Sequence, residues 1–510
     1  MPGYHGTMVN LPILPIRIRS TPETVIEYWP RHRPLAAWGI GPKSEWSRWA
    51  IVAEPDLTQT IWVACDDREG ALKALEGLGR RSADVPARES NLPPFVGGWI
   101  GSLAYGLGKL LEPKAAWEDS PVEDRRWPSI LMQRCPGAWC YDKLTRQWYA
   151  VGTLAAGGEG GSVALPPVEV KRRTMSMGTP ALSNTGKKGY QEGVEHVLEY
   201  IRAGDVYQVN LAHRLEATFA GAMRPNFLTL VEKAKPWYGA YLADDHRGVR
   251  RLIASVSPEL FFALDAGSRR IVTRPMKGTR PMGKGEELAG SSKDRAELAM
   301  IVDLMRNDLG RVCELGSVQV DQERAIEAHG AVVQGVSSVS GKVRADAKFA
   351  DVVGALFPGG SVTGTPKIRA MQIIEELEPE ARGPYCGALG YVSDCGNAAF
   401  SMAIRTLAVT GLPPMDAEFS IAPVGLSEML REEFEGTPPD MGKLERDLAK
   451  EKQLPSPTSP GLDEFEECKV DYWIGAGIVA DSTPQAEWEE TRVKAAPLLG
   501  LFLDPERGVE

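Results

Sequence analysis

The chain has 510 residues, 43% hydrophobic and 25% charged, a length and balance that suit a folded protein of enzyme size and exclude collagen-like, coiled-coil and wholly disordered readings. A net charge of −10 without a Lys/Arg block argues against nucleic acid as a partner, because phosphate contacts need a basic face. Seven cysteines with no Cys-x-x-Cys pair suggest neither a disulfide framework nor a zinc ribbon. Pro12 and Pro15 break the apolar start, and no later run is long enough for a bilayer, so a cytoplasmic location and no membrane partner are expected.

In chain order, residues 46–64 and 95–105 are rich in β-branched and aromatic residues and predict strands with turns. Residues 153–187 become small and polar, with Gly, Pro and Ser clustered, and read as a linker or edge connection. This divides the chain into a β-rich region 1–152, the linker 153–187 and a second region 188–510. Over 188–203, Val194, Val197, Leu198 and Ile201 at helical spacing predict a helix, followed by the strand-like VYQVNLAHRLEATF. The acidic, Pro-rich stretch 411–468 lies between two strand-like segments, AAFSMAIRTLAV and KVDYWIGAGIVA, and reads as a surface excursion inserted in a hairpin.

Four constellations invite chemistry. In TRPMKGTRPMG, residues 273–283, the amine of Lys277 stands beside a Gly278–Thr279 turn suited to an anion. In SSKDRAELAMIVDLMRNDLGRV, Ser291 and Asp294 make a start resembling a capping box, and Leu298, Ile301, Val302 and Met305 form an apolar stripe with Glu297 beside it. Taken alone, Glu297 reads as a solvated glutamate of the first turn. In FPGGSVTGTPKIRAMQIIEELEP, Thr365 suits the N-cap and Pro366 the first helical position, and Lys367 would reinforce an anion cradle at that glycine-rich start. Glu487 and Glu490 share one face of a short terminal helix. Taken alone they read as two exposed glutamates; a divalent cation such as Mg²⁺, which prefers carboxylate oxygens, would offset their repulsion.

Taken together, PMKGTRP, DRAELAMIVDLMRNDLGRV, FPGGSVTGTPKIRAMQIIEEL, GPYCGALGYVS, MAIRTL and GAGIVADSTPQAEWEET occur in the order and near the spacing of the chorismate-utilising enzymes. The likeness extends upstream through SRWAIVAEP, FVGGWIGSLAYGLG and AGDVYQVNLAHR, and leaves out only the linker and the insertion. Within that family the chain resembles component I of the aminodeoxychorismate synthases, with component I of the anthranilate synthases as sibling. The resemblance implies an α/β fold of the α+β type, with two large, mostly antiparallel β-sheets packed face to face and helices outside. It makes 1–152 an N-terminal region of the anthranilate synthase component I type and 188–510 the chorismate-binding domain.

The same resemblance assigns roles. Glu297 and Glu490, with Glu487 nearby, match the Mg²⁺ ligands; Gly278, Thr279, Tyr385, Arg405 and a Gly475–Ala476–Gly477 turn match positions that hold chorismate. Chorismate carries two carboxylates, which an Arg fork, backbone N–H groups and a metal ion would recognise. Lys277 stands where anthranilate synthases have Ala, and would be either the amine that adds to the ring or a clamp for a substrate carboxylate. Glu259 matches the acid/base residue. Water-adding relatives carry a lysine where this chain has Gln208, and Gln334 takes the place of a histidine associated with pyruvate loss, so the expected product is aminodeoxychorismate made from chorismate and ammonia. No cysteine sits in a Gly-x-Cys-x-Gly turn, so a separate glutamine amidotransferase subunit is expected to supply ammonia. Trp38, Trp237 and Tyr238 replace the motif residues of tryptophan-binding members, and their bulk is expected to fill that pocket.

Overall fold

The computed structural model describes residues 13–79, 91–116, 121–156, 176–177, 182–412 and 462–502. Alternating and continuous apolar runs assemble into two sheets, one of 13 strands and one of 10 among these residues. The longest pairing joins Gln208–Ala222 to Glu464–Ile478, antiparallel from Val209 opposite Ile478 to Ala222 opposite Glu464. In the second sheet, Met276–Pro281 and Arg270–Arg274 both pair with Val332–Lys342.

The sheets lie face to face because each buries one apolar surface against the other. Trp38, Ile51, Tyr238 and Ile253 of the first pack with Ile100, Leu131, Leu389 and Tyr391 of the second in one core cluster. Helices cover the outer faces. Ser292–Gly310 starts where the Ser291 hydroxyl accepts the Asp294 N–H at 3.2 Å. The Asp294 carboxylate turns to Arg280 instead of back to the cap, so only half of a capping box forms. Leu298, Ile301 and Met305 of this helix are buried as their spacing predicts; truncating Ile301, fully enclosed, to Ala would cost about 2–5 kcal/mol.

Strands of the first 152 residues enter both sheets. Ala36–Ile40 pairs with Tyr238–His246, and Gly98–Leu103 with Ala388–Ser393. In the predicted linker, Ser176–Met177 and Leu182–Ser183 each pair with Gln208–Ala222, and 157–175 lies outside the described residues. So does 413–461, the bulk of the predicted insertion; the strands flanking it, Thr406–Leu412 and Glu464–Ile478, are antiparallel neighbours, the hairpin expected from the sequence.

Candidate active site

Lys277 leaves its strand at a bulge. The register jumps from Lys277 opposite Gly335 to Thr279 opposite Gln334, with Gly278 between them at φ +75°, a conformation that favours glycine. A side chain at 278 would also meet the Asp294 carboxylate at 2.8 Å. The anion-holding turn read from the sequence is therefore a bulged strand. Gln334 Nε2 donates to the Thr279 hydroxyl at 3.2 Å, while Gln334 Oε1 is buried without a hydrogen-bond partner among the described residues.

The Lys277 side chain reaches the other sheet. A Cβ placed on Gly477 would lie 3.1 Å from Lys277 Nζ and 3.1 Å from Gln208 Nε2, and one on Gly475 would lie 3.1 Å from the Tyr385 hydroxyl. Gly475–Ala476–Gly477 is not the turn expected from its glycines. These residues sit inside a long strand, opposite Ala212, Leu211 and Asn210, and glycine serves there for close approach instead of for bending. Gln208 is fully buried, and neither end of its amide has a hydrogen-bond partner among the described residues. Such a group costs free energy until a partner satisfies it, which makes the amide a candidate contact for a ligand. Tyr385 is buried, with its ring stacked 6.1 Å from that of Trp473.

Glu259 feels the charge of Lys277. It is buried and accepts the Ser361 hydroxyl on Oε1 at 2.7 Å. Burial pushes its carboxyl up to about 7, against the opposing pull of that hydrogen bond and of the Lys277 and Arg405 charges. Burial also pushes the Lys277 amine below the usual ammonium range; Glu297, Glu259 and Glu490 oppose this, and Lys494 reinforces it. Arg405 adopts φ +51°, rare for a side-chain-bearing residue, with its carbonyl held by the Val256 N–H at 3.0 Å. Burial lowers its guanidinium from the usual arginine value.

The three glutamates come from two helices, Ser292–Gly310 and Pro484–Phe502, the latter much longer than the short terminal helix expected. Glu487 is buried, and burial raises its carboxyl with Glu490 adding repulsion; Glu490 also raises Glu297, where burial is the larger cause. These carboxylates therefore feel one another. Lysines compensate them: Lys494 Nζ lies 2.7 Å from Glu490 and donates to the Gly475 carbonyl at 2.9 Å, and Lys293 stands 4.0 Å from Glu297. Among the described residues no three His, Cys, Asp or Glu side chains converge into a ready-made metal cage. The donors are all hard oxygens carried by two helices, which fits Mg²⁺ bound by few carboxylates and completed by water and substrate.

Sequence reading missed Lys494, although its position four residues after Glu490 predicts an ion pair on one helix face. It also missed Ser361, which only the loop path brings to Glu259. It placed Lys367 wrongly: that ammonium turns inward, 2.7 Å from Asp308 and 3.0 Å from the Leu356 carbonyl, and is not free for an anion. The helix begins at Lys367 with Pro366 as its cap residue. Thr365 pairs as a strand with Gln208, which removes it from the cap.

A family model described as chorismate binding enzyme matches residues 43–412 and 464–500, which hold all the residues named above as site candidates. Aminodeoxychorismate synthase component 1 of Klebsiella aerogenes is 38% identical over 324 residues, 62% of this chain and 69% of that protein. Anthranilate synthase component 1 of Synechocystis sp. is 32% identical over 451 residues, 81% of this chain and 78% of that protein. The crystal structure of anthranilate synthase component I from Streptococcus pneumoniae TIGR4 superposes with a TM-score of 0.64 at 23% identity, covering 90% of this chain and 94% of that one.

Proposed function

Since the chain belongs to the family of chorismate-binding enzymes, we propose that it is component I of an aminodeoxychorismate synthase, aminating chorismate with ammonia to 4-amino-4-deoxychorismate on the way to 4-aminobenzoate and folate. The observation that carries the reading is the Lys277 amine, which approaches Gly477 beside the Gln208 amide and feels the charge of Glu259. Relatives named for the two sibling reactions are alike in similarity, so the choice rests on the residue at 277.

In this reading Arg405, Tyr385 and the Gly278–Thr279 bulge hold the substrate, and the amine of Lys277 adds at C2. The ring double bonds shift and the C4–O bond breaks, with the proton from Glu259 leaving in water. Ammonia then adds at C4, the double bonds shift back, and the C2–N bond to Lys277 breaks. A carboxyl titrating at about 7 holds a transferable proton at neutral pH, and an amine lowered by burial reaches its nucleophilic form more readily. Glu297 and Glu490, with Glu487 behind them, would hold Mg²⁺, which when bound neutralises a substrate carboxylate and fixes its orientation.

The sibling reaction needs a base for pyruvate loss, and Gln334 is an amide that takes up no proton near neutral pH. His329 does not share the place of Gln334: it pairs with Val332 at the end of its strand, its ring 4.3 Å from that of Trp237 and its Nε2 3.6 Å from Glu327. Six of the seven cysteines are buried and Cys65 is half-buried with its thiol pushed up by burial, which favours ammonia arriving from a separate glutamine amidotransferase. Free thiols suit a reducing cytoplasm, and among the described residues no helix is long and apolar enough to cross a membrane.

The assay is direct. Purified protein with chorismate, Mg²⁺ and ammonium, followed by a lyase, should yield 4-aminobenzoate. Blue-fluorescent anthranilate would favour the sibling instead, and unchanged chorismate would indicate a silent binding subunit.

A further inference from the structure

His213 takes no part in the chemistry above, yet it links three elements around the carboxylate-bearing helix. It lies on Gln208–Ala222, 2% exposed. Its Nδ1 is 2.9 Å from the Ser183 hydroxyl and its Nε2 3.2 Å from the hydroxyl of Thr491, the residue after Glu490. The remaining partners fix the direction of this chain. Thr491 Oγ1 donates to the Trp488 carbonyl at 2.8 Å, so it accepts from Nε2–H; Ser183 Oγ accepts the Gly186 N–H at 3.0 Å and is left to donate to Nδ1. All groups are satisfied by a neutral imidazole carrying its proton on Nε2. The ring forms a triangle with Trp488, 5.1 Å away, and Tyr190, 5.0 Å away, themselves 5.8 Å apart, and Tyr190 is anchored by its hydroxyl to the Leu211 carbonyl at 3.2 Å.

Glu487, Glu490, Thr491 and Lys494 stand at positions i, i+3, i+4 and i+7 of the helix and so share one face. Whatever fixes Thr491 therefore fixes the rotation of that face. We propose that His213 is a positioning residue that sets the rotation of the Pro484–Phe502 helix through Thr491 and Trp488, and so aims Glu487 and Glu490 at Glu297 for a divalent cation. This inference rests on the Mg²⁺ reading above. Outer partners of ligand-bearing groups commonly change metal affinity by 10–100-fold when removed.

The test is calorimetric titration of MgCl₂ into the full chain, with thermal unfolding of each variant recorded in parallel. His213→Leu, which keeps bulk and loses both hydrogen bonds, should weaken Mg²⁺ binding about tenfold. His213→Gln, whose amide can donate to Thr491 and accept from Ser183, should recover most of it. Thr491→Val removes the same link without touching the imidazole and serves if the leucine variant does not fold; it should show a similar loss. The inference is overturned if His213→Leu or Thr491→Val binds Mg²⁺ as the parent does, or if glutamine rescues no better than leucine. If the parent itself binds no Mg²⁺, the metal reading falls first and the positioning role falls with it, a result distinct from equal binding by parent and variants.

Discussion

Lys277 Nζ and the α-carbon of Gly477 belong to different sheets, yet they approach so closely that a methyl group on Gly477 would stand 3.1 Å from the amine. The nearest obstacles to that methyl are the ends of two side chains, Gln208 and Lys277, and not backbone. Gly477→Ala is therefore expected to fold and to displace the amine. Chorismate turnover should fall severalfold, since a ~1 Å misplacement of a reacting group can cost about a hundredfold and the amine must give way by a few tenths of an ångström, while the melting temperature stays within a few degrees. Unchanged turnover would mean that the amine's position against Gly477 is irrelevant to the reaction.

Lys277→Ala separates a nucleophile from a clamp. If the amine bonds to the ring, the variant should lose most of its aminating activity at saturating chorismate. A clamp would show instead as a raised KM with kcat retained. Near-normal turnover would sink the covalent role. Steady-state kinetics over a wide range of chorismate decides between these outcomes.

Glu259 and Lys277 predict the shape of the pH profile. The acid form of Glu259, whose carboxyl is pushed up to about 7, is lost as pH rises through that value, so kcat should decline on the alkaline side. The free amine of Lys277, lowered from the ordinary lysine value by burial, is lost as pH falls, which gives the acid limb. Glu259→Gln should abolish the alkaline limb along with most turnover. The same substitution should raise the melting temperature at pH 8. A carboxyl whose folded-state value lies above its unfolded one binds more protons when folded, so its contribution to stability falls as pH rises from about 4.5 through about 7. An equal or lower melting temperature at pH 8 would contradict the assignment.

Trp38 predicts the response to free tryptophan. Its indole is buried between the sheets, donates to the Leu389 carbonyl at 3.0 Å and packs against Tyr238 and Tyr391 at 5.9 and 5.1 Å. Trp237 packs against the same core cluster, with its ring 4.3 Å from that of His329 and 5.7 Å from the Arg274 guanidinium. Chorismate consumption should be the same with and without millimolar tryptophan. A saturable inhibition curve at micromolar tryptophan would refute the point.

Local signals carried much of this molecule. The period-3.6 stripe of Leu298, Ile301 and Met305 specified its helix, the β-branched runs specified strands, and the motif order around Lys277, Glu297, Arg405 and Glu490 pointed to the family and named the candidate residues. The composition change at 411–468 marked an interruption between two strands that do pair. Tertiary structure decided what no local signal encodes. Gly475 and Gly477 look like a turn in sequence because glycine has two uses, bending and close approach, and only the opposite strand shows which applies. Lys367 looked like an anion ligand until Asp308, 59 residues away, was found facing it. The lowered Lys277 amine and raised Glu259 carboxyl likewise depend on burial between sheets whose strands come from distant parts of the chain, because desolvation is a property of the surroundings and not of the residue.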